Sequence, residues 1–141
     1  MRIADVLRNK GSDVATIPPE ATIGSLIAEL ATHNVGALPV VEDGGLVGIV
    51  SERDVVRHLH TGGADLLARP VRDIMSTSVT TCEPGDAVVD LARTMTTRRF
   101  RHMPVLQDGE LIGIVSIGDL VKVRIDQLES EREQLQSYIS T

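Results

Sequence analysis

Two Ser-x-x-Asp pairs, Ser51 with Asp54 and Ser116 with Asp119, are the residues of this chain best placed to do chemistry. Each pair follows an apolar run, Gly48-Ile49-Val50 or Gly113-Ile114-Val115, so each serine stands where a strand gives way to a helix. A carboxylate at such a turn can accept two hydrogen bonds from a vicinal diol, such as the 2′ and 3′ hydroxyls of a ribose. Amides at the same helix start can receive phosphate. The spacing is also that of a capping box, in which serine and acid satisfy orphan amides of the first turn, and an acid there suits the helix dipole.

Catalytic alternatives find little support. Neither serine has a patterned base nearby, so neither reads as a nucleophile. His58-x-His60 is no helical metal pair, because residues two apart on a helix point away from each other. No Gly-x-x-x-x-Gly-Lys phosphate loop is present. The expectation is a binding site with no catalytic residue and no metal ligand set.

The two pairs belong to an internal repeat. Residues 37–57 align without a gap on residues 102–122, and 11 of the 21 positions are identical. Upstream, residues 3–7 match residues 71–75 as lead-in segments, offset by 68 rather than 65; the three extra residues fall at Asn9-Lys10-Gly11, read as a loop. Residues 14–17 and 79–82 read as short strands, each closed by proline (Pro18-Pro19, Pro84).

Amphipathic helices follow. Ile23, Leu26, Ile27, Leu30 and Ala31 share one helical face, as do Val88, Leu91, Ala92 and Met95, with Asp86 expected as N-cap of the second helix. Strands 37–41 and 46–50 are joined by a four-residue Glu42-Asp43-Gly44-Gly45 turn, and strands 103–106 and 111–115 by Gln107-Asp108-Gly109-Glu110. A second helix then turns Val55, Val56 and Leu59 inward, or Leu120, Val121 and the stem of Arg124, and Gly62-Gly63 stops the first of these. The expected fold is α/β (α+β): two β-α-β-β-α repeats packed in pseudo-two-fold symmetry, at 3–62 and 71–125, with a linker at 63–70 and a C-terminal helical extension at 126–141.

That last helix has no glycine stop. Val121, Leu128 and Leu135 recur every seven residues, with Ile125, Tyr138 and Ile139 near the same seam. A two-in-seven stripe suits helix pairing across a dimer; a solvated tail is the alternative.

Composition narrows the partners. The 141 residues carry 14 Lys and Arg against 20 Asp and Glu, a net charge of −6, which argues against a phosphate-backbone or anionic-lipid binder. Phe100 and Tyr138 are the only aromatics, so stacking platforms for single-stranded nucleic acid are missing and the core must be aliphatic. The single cysteine, Cys82, excludes an intrachain disulfide and reads as a small core residue. No charged-then-apolar leader opens the chain, and no apolar run approaches the ~18 residues of a membrane span. A soluble, reduced, cytoplasmic protein with no nucleic-acid or membrane partner is expected.

Taken together, Gly48-Ile-Val-Ser-x-x-Asp54 and Gly113-Ile-Val-Ser-x-x-Asp119, each after a strand opening Pro39-Val-Val or Pro104-Val-Leu, resemble the signature of cystathionine-β-synthase (CBS) domains. The resemblance covers about residues 3–125 and extends to small stand-alone bacterial members. Tandem pairs of this family form Bateman modules, which usually bind AMP, ADP, ATP, NAD(H) or S-adenosylmethionine and commonly dimerise into a flat four-repeat disc. The resemblance therefore implies an adenosine nucleotide as ligand, AMP foremost, a homodimer, and a regulated partner protein. It implies clefts that combine adenine-facing residues of one repeat with the Ser and Asp of the other. Those residues would be Ala15, Val35, Gly36 and Ala37 in the first copy and Thr80, Phe100, Arg101 and His102 in the second. Ile49 and Ile114 would pack on the base, with Ser51, Ser116, Asp54 and Asp119 at the ribose and phosphate.

The copies differ in their cations. Arg53 precedes Asp54, but Gly118 precedes Asp119; Arg98, Arg99, Arg101 and His102 crowd the second copy where the first has His33, Asn34, Gly36 and Ala37. Arg98 and Arg99 also suit a helix C-terminus, whereas Arg101 and His102 are placed for phosphate. The expected function is ligand sensing by linkage. Its rivals are an enzyme acting on the bound nucleotide, with Asp54 and Asp119 holding a metal, and an assembly protein with vestigial clefts.

Overall fold

A computed structural model describes residues 1–11 and 13–140. Five α-helices are described: α1 (Ile3–Lys10), α2 (Ile23–His33), α3 (Glu52–Gly62), α4 (Val88–Arg98) and α5 (Ile117–Ser140). The strands are β1 (Ala37–Glu42), β2 (Gly45–Ser51), β3 (His102–Gln107) and β4 (Glu110–Ser116), paired as two separate two-stranded sheets, β1 with β2 and β3 with β4.

The chain divides into two compact units that do not follow the order of the repeats. One holds Met1–Ser12, Thr81–Asp108 and Ile112–Thr141; the other holds Asp13–Thr80 and Gly109–Leu111. Apart from Gly109–Leu111, each unit is thus the body of one repeat completed by the other repeat's lead-in segment. Ile3 and Val6 of α1 are buried with Val88, Met95, Met103, Val115 and Leu120. Val71 and Ile74, from a 3-10 turn at Val71–Asp73, are buried with Ile23, Leu26, Leu38, Val40 and Val50. Main-chain bonds fix both insertions: Ile3 N–H donates to Asp86 O and Ala4 N–H to Pro84 O in one unit, Val71 N–H to Ala21 O and Arg72 N–H to Pro19 O in the other.

The hairpins are tighter than expected. Only Asp43 and Gly44 lie between β1 and β2, with φ of 52° and 78°; Asp108 and Gly109 do the same at 53° and 81°. Two consecutive positive φ values make the primed turn whose twist matches the strands, and Asp-Gly accommodates it. The residues expected as turn flanks are instead strand ends. Residues 14–17 and 79–82 form no strand; Ile17 and Cys82 make single bridges to Val40 and Val105, because prolines follow before a ladder can extend.

Several helix details also differ. The N-cap of α4 is Ala87, and Asp86 instead closes the preceding turn, its Oδ2 accepting Glu83 N–H at 2.8 Å. On α3 only Val55 is buried; Val56 is 66% and Leu59 44% exposed. On α5 Leu120 and Val123 are buried while Val121 points outward, about 100° around the helix from Leu120. Gly63, at φ 62°, ends α3 as expected. The segment after it is a 3-10 helix, Gly63–Ala68, that buries Leu66. Cys82 is a core residue, its thiol pushed up to about 12 by burial first and by the charge of Asp86 second.

Candidate functional site

Each Ser–Asp pair is a complete capping box. Ser51 is extended (φ −126°, ψ 164°), the conformation of an N-cap; its Oγ accepts Asp54 N–H at 3.2 Å, and Asp54 Oδ2 accepts Ser51 N–H at 2.8 Å and the Ser51 hydroxyl at 3.0 Å. In the second copy Ser116 Oγ accepts Asp119 N–H at 3.1 Å and Asp119 Oδ2 accepts Ser116 N–H at 2.9 Å. Every bond that either carboxylate accepts from its serine is made at Oδ2. Among the described residues, Oδ1 of each carboxylate accepts no hydrogen bond from its own unit, and both aspartates are only partly buried. A cap that spends one oxygen leaves the other for a ligand hydroxyl.

The helix starts offer less to an anion than the sequence suggests. Glu52 N–H donates to Gly36 O at 2.9 Å, and Ile117 N–H to Arg101 O at 2.8 Å. With Asp54 N–H and Asp119 N–H held by serine, the first and third amides of each helix are engaged. Those bonds position the neighbours instead. Gly36 is bound to the start of α3 and Ala37, itself buried, pairs with Ser51 across the β1–β2 ladder, so two small residues stand beside the first carboxylate.

Inside each unit, then, a repeat's Ser and Asp lie beside that repeat's own 36–37 or 101–102 segment. Ala15 and Val35 pack at the edge of the first repeat's core, and half-buried Thr80 belongs to that unit too. Phe100 packs on the second repeat's core with the Arg98 guanidinium 5.6 Å from its ring centroid. Arg98 is therefore occupied by an aromatic face, and Arg99 is the left-handed C-cap of α4 at φ 59°. Arg53 and Arg101 are exposed, and His102 opens β3 half-buried.

The motif isoleucines differ in what covers their main chain. Ile49 exchanges both main-chain bonds with Ser76, N–H to O at 3.0 Å and O from N–H at 2.9 Å. Ile114 O instead accepts the Lys10 ammonium at 2.8 Å, and the same Nζ lies 2.7 Å from Asp119 Oδ2. Burial, the largest single influence, pushes the Asp119 carboxyl up. Hydrogen bonds from Lys10 and Ser116 and the charge of Lys10 together outweigh it and hold the group below the usual carboxylate range.

Lys10 and Ser76 were missed in the sequence. The signal for Lys10 was the three-residue offset at Asn9-Lys10-Gly11: these residues do not form a loop but extend α1 to Lys10, with Gly11 at φ 98° closing it. Among the described residues no cluster of His, Cys, Asp and Glu could hold a metal, and no helix is long and apolar enough to cross a membrane.

Known proteins share this fold. A solved CBS-domain containing protein from Agrobacterium tumefaciens is 40% identical with a TM-score of 0.85, covering 88% of this chain and 99% of that one. The CBS domain-containing protein YhcV of Bacillus subtilis is 34% identical over 120 residues, 85% of this chain and 83% of its own. The structure of CBSX2 in complex with AMP is 26% identical with a TM-score of 0.72, over 89% of this chain and 96% of that one. The CBS domain model itself matches residues 3–61 and 71–126, so the chain belongs to the CBS domain family and carries two copies of the domain.

Proposed function

We propose that this protein is a regulatory module that binds an adenosine nucleotide, AMP in the first instance, through Asp54 and Asp119, and reports occupancy to a partner protein. The observation that carries the reading is the division of labour in each carboxylate: Oδ2 holds the helix start and Oδ1 is left by its own unit. A ribose diol is a group that such a carboxylate can hold, beside Gly36 and Ala37 or beside Arg101 and His102. The AMP complex of CBSX2 supports the same ligand class here. ADP, ATP, NAD(H) and S-adenosylmethionine share the adenosine part and belong to the same test. The module is not an enzyme in this reading. Ligand acts by its difference in affinity between two arrangements of the protein.

The protein is also proposed to work as a cytoplasmic homodimer, with the outer stripe of α5 as a pairing surface. Leu128 is 47% and Leu135 63% exposed, every seventh residue on a helix whose other faces are charged. Sedimentation that gives a monomer at every concentration would remove that part of the proposal.

The test of ligand binding is calorimetry with AMP, followed by the other adenosine compounds, on wild type, Asp54→Ala and Asp119→Ala. Loss of a cap costs about 1 kcal/mol of stability, so each variant should remain folded while binding at the altered site disappears. Binding that survives both substitutions would overturn the proposal.

A further inference from the structure

Lys10, carried by the first repeat's lead-in helix, marks the unit that holds the second motif. Its ammonium bridges Asp119 Oδ2 and Ile114 O, so it sits on the carboxylate that the proposed site uses. A cavity of about 500 Å³ opens beside it, lined by Lys10, Lys122, Asp119 and Asp126 among others, so both lysines of the chain and two carboxylates border it. At Asp54 the carboxylate is held by Ser51 alone within its unit, and the carbonyl of Ile49 is closed by the Ser76 amide rather than by a charge.

We infer that Lys10 makes the second site selective for phosphorylated adenosine ligands over unphosphorylated ones; the inference rests on the proposed function. A carboxylate already paired with an ammonium is a poorer acceptor for a neutral diol, because part of its charge is neutralised and Lys10 crowds one side of it. A nucleoside offers Lys10 nothing in exchange. A nucleotide offers a phosphate on the same ribose, within the sweep of a flexible four-carbon stem. The diol then takes the carboxylate while the phosphate takes the lysine, with Lys122 bordering the same cavity as a second cation. Among the described residues of its unit, the first site has no such bridge and no such exchange to make.

The experiment is calorimetry with AMP and with adenosine on an Asp54→Ala background, which silences the first site, with and without Lys10→Met. AMP should bind at least about tenfold more tightly than adenosine in the Asp54→Ala protein, a difference of about 1.4 kcal/mol. Lys10→Met should bring the two ligands to within about threefold, with adenosine unchanged or tighter, and Lys10→Arg should keep the preference for AMP. A preference that survives Lys10→Met, or a parallel loss of both ligands, overturns the inference. Binding to wild type that vanishes entirely in Asp54→Ala overturns it too while leaving the proposed function standing for the first site. No binding to wild type by any adenosine compound removes the proposed function, and the inference falls with it.

Discussion

Ile49 and Ser76 are joined by a reciprocal pair of main-chain hydrogen bonds at 3.0 and 2.9 Å, which ties the segment after the second lead-in to the strand that carries the first motif. That closeness explains Gly48. A Cβ added there would stand 2.8 Å from Ser76 O and 2.9 Å from Met75 Sδ, so a backbone carbonyl must move. At the matching Gly113 the obstruction is the Leu7 Cδ2 methyl at 2.8 Å, the free end of a side chain that can rotate away.

The two motif glycines should therefore respond differently to the same change. Gly48→Ala is expected to destabilise by about 1–3 kcal/mol, the usual cost of overpacking, and Gly113→Ala by less than about 1 kcal/mol. Urea unfolding of both variants checks this. Equal losses would mean that the Ile49–Ser76 bridge does not constrain Gly48.

This difference also marks where sequence reading stops. The repeat was legible from its identical residues, and the inner face of α4 and the caps at Ser51 and Ser116 from residues three or four apart whose types state their role; on α2 the expected face is only partly buried, with Ile27 and Ala31 exposed. The Ile49–Ser76 and Lys10–Asp119 contacts were not, since they join positions 27 and 109 residues apart in the chain. The exposure of Val56 and Leu59 was hidden for a related reason: periodicity shows which residues share a helical face, not how far along the helix its support extends. The exchange of lead-in segments between units was likewise invisible, because the 3–7 and 71–75 segments present similar apolar faces and nothing local says which core receives which.

Lys10 and Asp119 also predict an acid limb. A carboxyl held below its ordinary value contributes stability that is present above the unfolded value of about 3.9 and is lost as pH falls through the lower folded value. Wild type should accordingly be more stable than Lys10→Met near neutrality, and the difference should shrink as pH drops below about 4. Thermal unfolding across pH checks the sign. A gap that widens on acidification would contradict the pairing.

Arg99 holds a left-handed conformation at the end of α4, φ 59°, where a side chain strains the backbone and glycine does not. Arg99→Gly should stabilise the protein by about 0.5–1 kcal/mol, the relief being partly offset by greater freedom of the unfolded chain. Asn34 occupies the matching cap of α2 at φ 52°. Asn34→Gly should gain less, since asparagine tolerates this region well. Paired denaturation curves test the ranking, and a destabilised Arg99→Gly would show that the arginine side chain contributes more than its backbone costs.

Cys82 should behave as packing rather than as chemistry. Its side chain lies in the core with Sγ 3.7 Å from Pro104 O, and burial, aided by the charge of Asp86, pushes the thiol up to about 12. The thiolate is the reactive form, so almost none is present at neutral or mildly alkaline pH. A chromogenic disulfide reagent at pH 8 should leave the native protein unmodified over the time in which it titrates one thiol per chain in urea. Because the raised value favours the neutral thiol of the folded state, stability from this group is complete below about 8.5 and declines as pH rises toward the folded value. Stoichiometric labelling of the native protein within seconds would show that the strand-like bridge between Cys82 and Val105 opens readily, and would place the weakest part of that unit at Cys82.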